Sequence, residues 1–229
     1  MKKIQFDIIS FMKKGRKKEL DKILDFLIEV GKLKRMKRRG WVMRKVKDPE
    51  SIADHTFRMA ILAWILGSFK NLDTKKIVKM ALVHDLCEVY AGDTTPYEPF
   101  LNKIKNEKEL EKLLKIWPKF SQKEKIKFAK EKFKKEFKSL KKILKKLPKH
   151  LQKEMIELWL EYEKGLTKEG RFVRQLDRIE NLIQALEYLK EGNKFAIGPW
   201  WEQKEELIDD PILLKLLSLL EKKFKNLFK

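Results

Sequence analysis

At least six segments of this chain repeat apolar residues at spacings of three and four, the period of one face of an α-helix. Val, Thr and Tyr are sparse while Leu, Ile, Lys and Glu abound, a mixture that suits helices better than sheets. An all-α fold is therefore expected. With 229 residues, 43% of them hydrophobic, the chain can bury one substantial core, and residues 1–229 read as a single domain.

The segments can be placed one by one. The first helix covers about residues 18–30, with Leu20, Ile23, Leu24, Leu27 and Ile28 on one face. A basic loop leads to Trp41, and Asp48-Pro49 marks a turn. Ser51 and Asp54 have the spacing of a capping box, opening a helix whose first turn holds His55 and whose inward stripe is Met59, Leu62, Ala63 and Leu66. Asp73 or Thr74 caps the next helix, expected to run unbroken through Ile77, Met80, Ala81, His84 and Glu88 until Gly92 and Pro96. On such a helix Asp85 would lie about 100° round from His84. Two further helices cover about 150–164 and 168–191, the second with Phe172, Leu176, Ile179, Ile183 and Leu186 inward and Asp177 and Glu180 on its flank. Asp210-Pro211 starts a last helix.

The formal net charge of +21 is unevenly spread. Residues 103–149 hold 19 Lys and 6 Glu, with no Asp or Arg, a net of +13. Ile126, Phe133, Phe137, Leu140, Ile143 and Leu144 recur there at near-helical intervals, Ser121 and Glu124 offer a capping box, and Pro118 and Pro148 bracket the stretch. It reads as a Lys-rich helical insertion within the domain. A solvated helical surface and a patch for nucleic acid or another polyanion both fit its charge. The lack of Arg, which makes bidentate contacts to guanine and phosphate, favours the former. The lone Cys87 closes no internal disulfide, and the apolar run in MKKIQFDIISFMKKG is too short and broken for a signal peptide. Nothing approaches the roughly 20 apolar residues of a membrane span. A cytoplasmic protein with no membrane attachment is expected.

Two of the chain's three histidines sit among apolar residues of expected helices. In KIVKMALVHDLCEVYAGD, Ile77, Ala81, His84 and Glu88 share a face, so the imidazole points inward. A buried carboxylate beside a buried imidazole is costly unless a cation or hydrogen-bond partner compensates. Alone, the His84-Asp85 dipeptide is most simply a hydrogen-bonded pair. His55 in ESIADHTFRMA and Asp177 in FVRQLDRIENLIQALEY, each beside apolar neighbours, shift the balance toward a metal. Two imidazole nitrogens with two carboxylates suit Mn, Co, Fe, Ni or Zn and argue against a thiolate-bound structural zinc.

Three stretches carry a resemblance: LKRMKRRGWVMRKVKDPESIADHTFRMA, ALVHDLCEVYAGDTTP and LWLEYEKGLTKEGRFVRQLDRIENLIQALEY. In motif order and spacing they resemble the HD-domain superfamily of metal-dependent phosphohydrolases, and within it the HD-domain-containing protein 2-like 5′-deoxynucleotidases. The similarity covers about residues 18–100 and 152–190. It implies that His55, His84, Asp85 and Asp177 ligate one divalent metal ion, that Glu88 is the catalytic glutamate, and that Asp93 contacts the deoxyribose and helps proton transfer. Arg38 and Trp41 match a substrate-binding RxGW element, and the family forms homodimers.

A guanidinium fork at Arg38 suits a phosphate dianion, with Arg35, Arg39 and Arg44 as substitutes, and Trp41 offers a stacking face for a base or sugar; the alternative is a basic surface loop with a core tryptophan. Cys87 reads as a packed side chain, His150 as a surface residue, and Trp200-Trp201 as a packed corner or subunit contact. Glu163 and Glu180 are either partners of the ligands or surface charges. The expected activity is removal of the 5′-phosphate from deoxyribonucleoside monophosphates. A nucleoside triphosphate, an alarmone or a cyclic nucleotide is the alternative substrate, and a polyanion-binding protein working through residues 103–149 is the alternative class. The chain lacks the extra histidines of a two-metal phosphodiesterase, so one ion is expected.

Overall fold

A computed structural model of the chain describes residues 14–116 and 118–228. Residues 1–13 of the stretch weighed as a signal peptide lie outside that range. In chain order the α-helices are α1 (Lys14–Val30), α2 (Arg39–Met43), α3 (Ile52–Ser68), α4 (Thr74–Val83), α5 (Glu88–Ala91), α6 (Glu98–Leu101) and α7 (Glu107–Leu114). They continue with α8 (Gln122–Leu144), α9 (Lys149–Lys164), α10 (Lys168–Lys190), α11 (Gly198–Leu207) and α12 (Pro211–Lys223). The fold is all-α: extended pairing among the described residues is limited to an isolated bridge between Lys37 and Ser51. No described helix is long and apolar enough to cross a membrane.

Local chemistry sets the helix starts. Ser51 with Asp54 and Ser121 with Glu124 each form a reciprocal capping box, opening α3 and α8. Asp73 caps α4 through the Lys76 N–H, and Asp210 accepts from Ile212 and Leu213 with Pro211 in the first turn of α12.

The core is organised around α10, which packs against α3, α4, α9, α11 and α12. Phe172, Val173, Leu176, Ile179, Leu182 and Leu186 are buried along it and meet Met59 and Ala63 of α3 and Ile77 and Met80 of α4. Because α10 is enclosed on several sides, Asp177 and Glu180 are buried as well, rather than lying on a flank. A second cluster joins Phe26, Ile52, Leu86 and Trp159 to Leu140, Ile143 and Leu144 of α8. The Lys-rich stretch thus contributes a buried apolar face, and α8 packs directly on α5.

Two expectations are corrected. The helix of Ile77 does not continue to Glu88. It ends at Val83, and residues 84–87 form a turn in which Leu86 N–H reaches Val83 O and Glu88 N–H reaches Asp85 O, tighter bonds than an α-helix makes. His84 and Glu88 are both still buried, but Asp85 takes its direction from the turn. On α1, Leu20, Leu24, Leu27 and Ile28 are exposed, whereas Phe26 is buried and Ile23 and Val30 are packed against the second core cluster. This helix rests on little besides the turn that follows it and α8, so only a narrow stripe is covered.

Candidate metal centre

Three distant segments converge beneath the turn after α4. His55 projects from the first turn of α3, fixed by the Ser51 capping box; His84 and Asp85 come from the turn; Asp177 comes from mid-α10. The Nε2 atoms of His55 and His84 lie 3.3 Å apart. Asp177 Oδ1 is 3.4 Å from His55 Nε2, and Asp85 Oδ2 is 3.0 Å from His84 Nε2 and 3.8 Å from His55 Nε2. The structure therefore brings all four expected ligands together, with His55, His84 and Asp177 buried.

The far side of each imidazole decides what the near side can do. His84 Nδ1 lies 2.7 Å from the Ala81 carbonyl, an acceptor only, so Nδ1 carries the hydrogen and Nε2 offers a lone pair. His55 Nδ1 donates to the Glu180 carboxylate, which turns its Nε2 toward the cluster, where it offers a lone pair once that nitrogen gives up its proton. Two imidazole nitrogens and the Asp177 carboxylate thus face one another, with Asp85 beside both rings, a donor set suited to a divalent ion with N/O ligands that displaces the His55 proton. Burial and Arg38 disfavour charge on His55, but Glu180 and Asp177 outweigh them and push its pKa up to about 10. Burial opposes ionisation of Asp177, yet Arg178 and His55 hold its carboxyl well below the usual range. The pocket attracts positive charge.

Each candidate ligand has a supporting partner. Asp177 Oδ2 accepts from the Tyr162 hydroxyl at 3.0 Å and from Arg178, and its Oδ1 accepts from Asn181 Nδ2 at 2.9 Å. Glu180, one turn beyond Asp177, is gripped by Arg58 Nε at 2.9 Å, while the other arms of Arg58 reach Gln184 and Glu187. Glu180 is thus a hydrogen-bond partner of His55 and not a surface charge. The sequence reading missed Arg58, Tyr162 and Asn181. Arg58 sits three residues after His55 and Asn181 four after Asp177, so helical spacing alone puts each near a ligand; Tyr162 arrives through the packing of α9.

Above the cluster opens a cavity of about 630 Å³. Glu88 lines it, buried, and its Oε2 has no hydrogen-bond partner. Burial and the charges of Asp85 and Asp93 push the Glu88 carboxyl well up, against the pull of Arg38. Asp93 follows Gly92, whose φ of 75° ends α5 with a conformation that costs glycine little. Its Oδ2 accepts the Arg39 backbone N–H at 2.7 Å and lies 4.0 Å from Arg38 Nε.

Arg38 and Trp41 sit differently from a free clamp and an open stacking face. Arg38 donates to Asp85 Oδ2 at 3.1 Å and to Asn181 Oδ1 at 3.2 Å, so two arms of its fork are engaged at the centre. Trp41 is only 2% exposed: it stacks on Trp200, meets Tyr188 edge-on and donates from Nε1 to Glu50 Oε1 at 2.8 Å. It forms part of the cavity wall from behind, and Trp200 completes a packed aromatic corner. Of the possible substitutes, Arg39 pairs with Glu98, and Arg44 bonds the Gly40 carbonyl and the Tyr97 hydroxyl while lying over the Trp200 ring. Cys87 is buried and His150 is exposed. Glu163 is part of the cavity lining.

Comparison with known proteins bears on this geometry. A family model described as "HD domain" matches residues 30–130 and 125–207. The protein named 5′-deoxynucleotidase HDDC2 from Bos taurus is 34% identical over 203 residues, spanning 87% of this chain and 84% of its own length. The 5′-deoxynucleotidase YGK1 of Saccharomyces cerevisiae is 32% identical over 170 residues, 74% of this chain and 68% of that one. Among solved structures, the PH0347 protein of Pyrococcus horikoshii OT3 superposes with a TM-score of 0.62 at 28% identity, covering 89% of this chain and 99% of the other.

Proposed function

The chain belongs to the HD domain family, and from that premise we propose that it is a metal-dependent 5′-deoxynucleotidase, hydrolysing deoxyribonucleoside 5′-monophosphates to deoxyribonucleoside and phosphate. The observation that carries this reading is the facing pair of imidazole nitrogens with two carboxylates at the floor of a nucleotide-sized cavity. His55, His84, Asp85 and Asp177 are the ligands it assigns, to one ion of the Mn, Co, Fe, Ni or Zn group. When bound, a divalent ion lowers the pKa of a water molecule and offsets charge on phosphoryl oxygens.

The rest of the reaction falls to side chains. Glu88 has an unpartnered carboxylate oxygen at the cavity and orients the attacking water, taking its proton as the new bond to phosphorus forms. Asp93, held by the Arg39 N–H, contacts the deoxyribose and assists return of a proton to the 5′-oxygen as the old bond breaks. Arg38 stands between Asp85 and Asp93, where a guanidinium N–H not given to its present partners can meet a phosphoryl oxygen. Trp41 shapes the wall by holding Trp200 in place.

We place residues 1–229 in one HD domain with 103–149 built into it, working in the cytoplasm. A homodimer is supported by the exposed apolar stripe of Phe57, Ile61, Trp64 and Ile65 on α3 with Phe69 at its C-cap. The deciding experiment measures phosphate release from a panel of deoxyribonucleoside and ribonucleoside phosphates with Mn or Co, beside metal analysis of wild type and Asp85→Ala. Release from no deoxyribonucleoside monophosphate would overturn the assignment.

A further inference from the structure

Most lysines of the 103–149 stretch point to solvent, but the cavity has a wall made by α8, and Lys132 stands on it. Its ammonium lies 3.0 and 3.1 Å from the two carboxylate oxygens of Glu136, one turn further along the helix. Glu136 is itself buried, so the pair sits at the inner edge of α8, where that helix packs on α5 and Ser139 bonds the Cys87 carbonyl. The catalytic turn and the Lys-rich helix are therefore one packed unit.

Other cations around the cavity have fixed structural partners. Arg38 is tied to Asp85 and Asn181, Arg44 to Gly40 and Tyr97, Arg174 to the Glu163 carbonyl, and Arg178 to Asp177. Lys125 and Lys135, also at the cavity, are exposed. Lys132 shares their exposure but differs from them in holding a buried carboxylate, that of Glu136. Among the described residues its partner is the carboxylate one turn along its own helix, which a flexible four-carbon stem can leave, and half of its side chain is accessible. Burial disfavours its charge, but Glu136, Glu163 and then Asp85 draw on it and keep it firmly protonated, so it lies within electrostatic reach of the metal-centre carboxylate.

We propose that Lys132 is a substrate-binding residue: its ammonium moves from Glu136 onto the phosphate dianion of the substrate, so that α8 closes the phosphate site opposite Arg38. This rests on the phosphohydrolase reading for its substrate, but the ligand chemistry it names is the phosphate dianion itself. Burial pushes the Glu136 carboxyl up to about 7, against the attraction of Lys132 and with Glu163 adding to the rise, so this carboxylate tolerates losing its cation by taking a proton.

The test is calorimetric titration of inorganic phosphate into Co-loaded protein, alongside steady-state kinetics on a deoxyribonucleoside monophosphate. Lys132→Met is expected to weaken phosphate binding and raise KM by about 10-fold or more, with Lys132→Arg recovering part of it. Lys134→Met and Lys138→Met, solvent-facing on the same helix, should change neither constant. The double variant Lys132→Met/Glu136→Gln guards against misfolding, because it removes the unpaired buried carboxylate yet should still bind phosphate weakly. If Lys132 merely neutralises Glu136, that double variant binds phosphate as wild type does, and the inference fails. It also fails if wild type binds no phosphate. Lysine-dependent phosphate binding without hydrolysis of any deoxyribonucleoside monophosphate would sink the assigned activity and leave this site standing.

Discussion

Oε2 of Glu88 is buried without a hydrogen-bond partner, a cost that a purely structural carboxyl would have no reason to carry. Glu88→Gln keeps shape and burial but cannot exchange a proton at that atom. Turnover should fall about 10²- to 10⁴-fold while metal per chain stays at the wild-type level, read by phosphate release and elemental analysis on one preparation. Arg58 acts a step further out. It grips Glu180, which in turn fixes the His55 tautomer. Arg58→Met removes that grip and leaves Glu180 buried and less well compensated, so metal affinity is expected to drop roughly 10- to 100-fold in a competition titration with a chelator. At this scale the inward direction of His55 and His84 was legible from apolar spacing, whereas Asp85 and Asp177 joined the set only through the resemblance, since spacing put Asp177 on a flank and Asp85 round from the buried face. Whether Trp41 was a stacking face or a core residue was not legible, since Tyr188, Phe195 and Trp200, which enclose it, lie about 150 residues away and reach it only through the packing around α10 and the start of α11.

Among elements, the close approach of α9 and α10 positions Asp177. A Cβ on Gly170 would come within 2.3 Å of the Glu161 carbonyl oxygen, which also accepts the Gly165 N–H closing α9. Backbone cannot yield as a flexible side chain would, so Gly170→Ala should destabilise the protein by roughly 1–3 kcal/mol, measured by denaturant unfolding. Tyr162 stands on α9 one residue from Glu161, so the same variant should also loosen the bond from its hydroxyl to Asp177. Helix starts were readable because a cap is a local event: Ser51, Asp73, Ser121 and Asp210 all act within three residues. The end of α4 at Val83 was not readable. Nothing in KMALVHDLCEVY breaks a helix, and the tight turn appears where His84, Asp85 and Glu88 must all reach one centre. Apolar periodicity likewise marked a face on α1 without showing that most of it meets no partner within the chain.

For the whole molecule, the question is what covers the apolar surface that the fold leaves outside. Phe57 and Trp64 on α3 and Phe69 at its C-cap are 68%, 63% and 72% exposed, and with Ile61 and Ile65 they follow one stripe. Such a stripe is costly to leave in water and is suited to burial against a second copy. The opposite side of the same helix carries His55, fully buried, so a substitution on the stripe can change association without touching the metal centre. Phe57→Glu combined with Trp64→Glu places charges in the contact, where an unpaired buried carboxylate is strongly unfavourable. Sedimentation velocity should then show a dimer for wild type and a monomer for the double variant, both with the same metal content. A wild-type monomer at all accessible concentrations would refute the dimer, and a variant that stays dimeric would move the contact off α3, leaving the exposed leucines of α1 as the surface to test next.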